Sequence, residues 1–131
     1  MTELRPLILV VDDMVETRRL MRRLLERGGF RVIEAATGEE AVRSIESGRP
    51  ELVVLDLRLP GMSGFDVARA VRTSADPVVV ATVILACSAS VQAEVRREAL
   101  DAGCDDFEGK PFDVRGFADR VRELLAQRER S

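Results

Sequence analysis

Three short apolar runs restrict this chain most: LILVV (7–11), LVVLD (52–56) and TVILAC (82–87). None alternates polar with apolar, so each reads as a strand covered on both faces. Between them the apolar period is helical. Leu20, Met21, Leu24 and Leu25 lie among arginines, and Gly28-Gly29 ends that helix. RVIEA (31–35) is a shorter, half-polar strand suited to an edge. Thr37 and Glu40 have the spacing of a capping box ahead of Ala41, Val42 and Ile45, a helix that stops at Gly48. Ser63 caps a helix carrying Val67, Ala68 and Val71; Val91, Val95, Ala99 and Ala102 mark another, closed by Gly103. DDFEG (105–109) is a short last strand. Asp113 then caps a helix with Phe117, Val121, Leu124 and Leu125 inside. Five strands and five helices in strict alternation predict an α/β doubly wound parallel sheet with helices on both faces. SADPVVVATV is slightly long for the connection before the fourth strand, which leaves that boundary open.

At 131 residues the chain fits one domain with one core, and the pattern shows no repeat or linker. The initial Met and short lead-in point to a complete small protein. A net charge of -3, with arginines scattered or paired with acids, argues against nucleic acid as a partner. No apolar stretch approaches the roughly 20 residues of a membrane span. Acids follow the first apolar run too closely for a signal peptide. Cys87 and Cys104 form no CxxC pair and read as reduced, buried thiols of a cytoplasmic protein. Histidine is absent, so the chain has no imidazole base, ligand or phosphohistidine of its own.

In an open parallel sheet, ligands bind beyond the carboxyl ends of the strands. Asp12 and Asp13 end the first strand and Asp56 the third; Ser88 follows the fourth and Lys110 the fifth. Each alone has a plain reading as a turn former or helix cap. Their convergence does not. Three neighbouring carboxylates repel and call for a cation, and oxygen ligands without His or thiolate suit Mg²⁺. Neither GxGxxG nor GxxxxGK[ST] is present, so a nucleotide fold is unsupported. The phosphate must be small or attached to the protein. Lys110 is the only lysine of the chain; every other basic side chain is arginine.

LILVVDD, VVLDLRLPGMSGFD, ILACSAS and AGCDDFEGKPFD together resemble the receiver domain of two-component response regulators, in order and spacing over nearly the whole chain. The C-terminal half is most similar to receivers of hybrid histidine kinases and stand-alone phosphorelay regulators. The resemblance implies a flavodoxin-like (βα)5 sheet of order 2-1-3-4-5, with residues 1–131 as a single receiver domain. It implies that Asp56 accepts a phosphoryl group from a histidine on a kinase or phosphotransfer protein. Asp13, Asp56 and the backbone carbonyl of Arg58 would ligate Mg²⁺, with Asp12 acting through water. Lys110 would reach a phosphoryl oxygen, where a point charge on a flexible stem fits better than a guanidinium fork. Ser88 would move inward to donate its hydroxyl, Phe107 would turn as it moves, and Lys110–Pro111 would be a cis bond.

Arg58 and Ser90 flank the route of an attacking water and should tune phosphoryl lifetime. Output is expected through a protein partner on the face spanning 91–127, around Ser88, Val95, Phe107 and Phe117, with the chain a monomer or weak dimer. Two other readings compete. A docking module that is never phosphorylated would show a lost acid or lysine, and none is lost. A haloacid-dehalogenase-type magnesium phosphohydrolase needs a second aspartate two residues after the nucleophile, where this chain has Arg58.

Overall fold

The computed structural model describes residues 5–110 and 112–130. Strands β1 (Leu7–Val11), β2 (Arg31–Ala35), β3 (Leu52–Asp56), β4 (Val83–Ser88) and β5 (Asp106–Gly109) form one parallel sheet of order β2-β1-β3-β4-β5. Six helices connect and extend them: α1 (Val15–Arg27), α2 (Gly38–Gly48), α3 (Gly64–Arg72), α4 (Pro77–Val80), α5 (Ala93–Asp101) and α6 (Phe117–Arg130). None is long and apolar enough to cross a membrane.

The unbroken apolar runs become the central strands because both faces of the sheet are covered. Ile8 and Val10 face a layer with Met21 and Leu25 of α1 and Phe117, Val121, Leu124 and Leu125 of α6. Leu9 and Val11 face the opposite layer, with Ala41 and Ile45 of α2, Val67, Ala68 and Val71 of α3, and Ala99 of α5. Cys87 and Cys104 are buried and unbonded; burial drives both thiols up, Cys104 to about 12. They are inert at neutral pH.

Several expected boundaries shift for identifiable reasons. The long connection before β4 holds a sixth helix: Asp76 accepts from the Val78 N–H at 2.9 Å, Pro77 starts the turn, and Val79 is buried. β4 begins at Val83 and includes Ser88. β5 begins at Asp106, because Asp105 turns its carboxylate to the Ile84 N–H at 2.7 Å and to Arg72 at 2.8 Å. α5 starts at Ala93, which leaves Val91 outside the helix. Asp113 accepts from the Arg115 N–H at 3.0 Å in a turn ahead of α6 and does not cap the helix itself, which begins at Phe117. Arg49, not a glycine, takes the left-handed position after α2, at φ 49°.

The expected partner face also needs correction. Phe117 is 1% exposed in the α1/α6 layer, whereas Phe107 and Val95 pack in the opposite one. Ser88, Phe107 and Phe117 are all buried, so they do not form one surface. Val91, Leu100 and Val114 are the exposed large apolar side chains of the 91–127 region.

Candidate functional site

The carboxyl edge of the sheet gathers Asp12, Asp13, Asp56 and Lys110. Asp12 follows β1 with no exposed surface. Its N–H donates to Ala35 O at 3.2 Å and its Oδ1 accepts from Met14 N at 2.9 Å, which fixes the carboxylate. Asp56 ends β3 and accepts the Arg58 N–H on Oδ1 at 3.1 Å. α3 starts hard against the Asp56 backbone: a Cβ on Gly64 would overlap the Asp56 carbonyl oxygen, so only glycine fits. Asp13 is exposed, and carboxylate oxygens of all three acids lie within 4.8 Å of one another.

Lys110 answers this charge directly. Its Nζ donates to Asp12 Oδ2 at 2.8 Å and to Asp56 Oδ2 at 3.1 Å. Both bonds leave one compact ammonium, a point charge set between the two carboxylates. Burial depresses the Lys110 ammonium, but the hydrogen bonds to Asp12 and Asp56 outweigh it and hold the pKa above its ordinary value. For Asp56 burial dominates and lifts the carboxyl, against the opposing pull of the Arg58 N–H and Lys110. One ammonium faces three carboxylates, so the cluster is short of positive charge. Three converging carboxylates, with no imidazole or thiolate among the described cluster, fit a hard dication such as Mg²⁺.

Ser88 joins the site through its backbone: Lys110 N–H donates to Ser88 O at 2.8 Å. Its hydroxyl oxygen accepts from Ser90 N at 3.1 Å. Arg58 is exposed and lines a cleft of about 280 Å³ with Ser88, Ser90, Val95 and Glu98. Phe107 is buried in the α2/α3/α5 layer. Pro111 lies outside the described residues, and with it the expected cis bond.

One brace escapes sequence reading. Arg18 Nη1 donates to the Asp12 carbonyl at 2.8 Å and its Nε to Glu34 at 2.7 Å, while Arg22 holds the other Glu34 oxygen at 2.7 Å. The hydrogen bond from Arg22 is the main cause that keeps the Glu34 carboxyl below its ordinary value. Among so many arginines nothing marks Arg18; only a half-polar β2 hinted that Glu34 had a partner.

Residues 8–122 match the family described as the response regulator receiver domain. This chain belongs to that family. Among similar curated proteins, the transcriptional regulatory protein ResD of Bacillus subtilis is 38% identical over 118 residues, covering 90% of this chain and 47% of that protein. The response regulator MprA of Mycolicibacterium vanbaalenii is 40% identical, covering 90% and 49%. The chain spans about half the length of the curated relatives it matches. A CheY-like receiver domain protein of Methanospirillum hungatei superposes with a TM-score of 0.87 at 25% identity, over 96% of this chain and 98% of that one. A Francisella receiver domain gives 0.85 at 26%, over 94% and 98%. The chain is a receiver domain of two-component signalling, with a flavodoxin-like sheet. Receiver domains take phosphoryl groups from histidine kinases and bind Mg²⁺ at an acidic pocket.

Proposed function

We propose that Asp56 is the phosphoacceptor of a single receiver domain spanning residues 1–131. The observation that carries this reading is the Lys110 ammonium bridging Asp12 and Asp56 beside Asp13. Asp13, Asp56 and the Arg58 carbonyl would hold Mg²⁺, with Asp12 linked through water. When bound, the ion neutralises charge on the phosphoryl oxygens. The phosphorus of a phosphohistidine on a kinase or phosphotransfer protein is attacked by an Asp56 carboxylate oxygen. The P–N bond breaks and its electron pair returns to the donor imidazole. Asp56 is held for this by the Arg58 N–H, and Lys110 leaves its shared position to meet the incoming phosphoryl oxygens. Ser88 supplies a hydroxyl once it leaves Ser90, and Phe107 follows it. Two states of the 91–127 region then differ in how they present Val91, Leu100 and Val114 to a partner.

Output passes by protein contact or onward phosphotransfer, in the cytoplasm, from a monomer or weak dimer. ResD and KdpE are named as transcriptional regulatory proteins. A DNA-directed output therefore stands beside protein contact, and the exclusion of nucleic acid expected from charge is not carried forward. Arg58 in place of a second aspartate removes the acid/base that a haloacid-dehalogenase-type phosphohydrolase would use.

Intact mass after incubation with Mg²⁺ and acetyl phosphate tests the acceptor. One added phosphoryl group is expected on wild type and none on Asp56→Asn. Lys110→Arg is expected to take up the group but not to switch. No adduct on wild type, together with no binding of beryllofluoride, would leave the docking-module reading.

A further inference from the structure

Gly109 ends β5 directly before Lys110 and pairs in register with Ser88, so it stands between two residues assigned to the phosphoryl group. A glycine at such a place in a strand marks a close approach of another group. Here the group is Val91. A Cβ on Gly109 would overlap Val91 Cγ1, with Val91 Cβ at 3.9 Å and no other neighbour within 4 Å. Val91 is nonetheless 68% exposed. It is carried by the segment between β4 and α5, which folds back through two local bonds: Ser90 N to Ser88 Oγ at 3.1 Å and Gln92 N to Ser90 Oγ at 3.5 Å. Gln92 offers α5 no side-chain cap and joins it through its carbonyl, which accepts from Val95 N at 3.1 Å and Arg96 N at 3.2 Å; Ala89 is exposed.

We infer that Val91 seated on Gly109 is a latch that positions Ser88 in the resting state. This rests on the reading of Asp56 as phosphoacceptor. While Val91 covers Gly109, the segment keeps its turn and the Ser88 hydroxyl oxygen stays engaged by the Ser90 N–H. For Ser88 to turn its hydroxyl to a phosphoryl oxygen on Asp56, the Ser90 bond must open and Val91 must lift from Gly109. The hydrogen side chain of Gly109 is what allows the latch to close. Both residues are positioning residues: neither touches the acids, and each acts through a neighbour that meets the phosphoryl group.

The latch makes a signed prediction. Gly109→Ala adds one methyl group that only Val91 Cγ1 opposes, and its backbone is not in the left-handed region. The substitution should therefore lift the segment without disturbing Lys110, and shift the population toward the phosphoryl-ready state. Beryllofluoride with Mg²⁺ should bind Gly109→Ala about fivefold more tightly than wild type, the gain being limited by how far the resting state is disfavoured. Exchange of the Ser90 amide hydrogen should accelerate to match. Val91→Ala removes the Cγ1 that closes the latch, so it too should bind beryllofluoride more tightly than wild type, and adding Gly109→Ala to it should bring no further gain. Two unrelated losses of stability would instead add in the double variant.

Unchanged or weaker beryllofluoride binding by Gly109→Ala or by Val91→Ala, or gains that add in the double variant, would overturn the latch. If wild type takes neither beryllofluoride nor a phosphoryl group, the acceptor reading has failed. Ser90 amide exchange then still decides the latch, because it needs no phosphoryl chemistry. Acceleration in Gly109→Ala and in Val91→Ala, with no more in the double variant, supports it; exchange equal to wild type in all three, or accelerations that add, overturns it.

Discussion

Lys110 and Glu108 show how two residues of one strand and its exit carry opposite debts to the fold. Among the described residues, Lys110 is the one cation paired with the carboxylates of Asp12, which has no exposed surface, and Asp56, which has 6%. Lys110→Met should cost about 2 kcal/mol in urea unfolding without divalent ions, because two buried carboxylates lose their partner. Saturating Mg²⁺ should recover much of that loss; equal losses with and without the ion would mean that Lys110 does not share the acids with a cation. Glu108 has the reverse problem. Its Oε2 is buried with no hydrogen-bond partner, and burial, ahead of the opposing Arg120, raises its carboxyl above the ordinary 4.5. A carboxyl raised in the folded state contributes stability that is full below its unfolded value and is lost as pH rises through the folded value. Glu108→Gln should therefore stabilise the protein by about 1 kcal/mol at neutral pH and give nothing near pH 4. Urea midpoints across that range would expose a wrong sign at once.

At the scale of elements, legibility followed the range of the interaction. The capping box of α3 is local: Ser63 accepts from Asp66 N at 3.2 Å and Asp66 accepts from Ser63 N at 3.4 Å. The Thr37–Glu40 pair held only in part, since Glu40 accepts from Ala36 N at 2.9 Å, one residue early. The α4 turn was visible as surplus length, but its anchor lies far off in sequence. Arg72 of α3 donates to Val80 O and Thr82 O at 2.7 Å each and to Gly103 O at 2.9 Å, and pairs with Asp105. One guanidinium thus ties α3, the α4 turn, the start of β4 and the turn before β5. Gly103, at φ 111°, allows the Arg72 stem to pass. Arg72→Met keeps the stem and removes every donor, so it should cost about 2 kcal/mol, since three carbonyls lose a charged partner. Arg72→Lys should recover only a minor part, because an ammonium cannot span four acceptors on three segments. A full recovery by lysine would show that charge alone, not the fork, is what the site needs.

For the whole molecule, three apolar runs marked the central strands, because a strand buried on both faces has few alternatives, while the order of the five strands was implied only by the family resemblance. The acids were legible for the same reason: they stop those runs, and a parallel sheet brings all such stops to one edge. What stayed hidden depends on which distant backbone passes beside which side chain, as with Gly64 at Asp56, Arg18 at the Asp12 carbonyl and Val91 on Gly109. The same global arrangement sets the final prediction. Asp13 is exposed and makes no hydrogen bond or ion pair with the described residues, yet its carboxylate converges with Asp12 and Asp56. Asp13→Ala should leave urea unfolding without divalent ions within about 0.5 kcal/mol of wild type, the range of an ordinary surface substitution. On the proposed reading Mg²⁺ would bind only where the sheet has assembled the acids, so it should stabilise wild type by about 2.7 kcal/mol at a hundredfold excess over its dissociation constant. Asp13→Ala should lose most of that gain. An equal gain in both proteins would place the ion elsewhere on the molecule, and the three acids would then need another explanation for standing together.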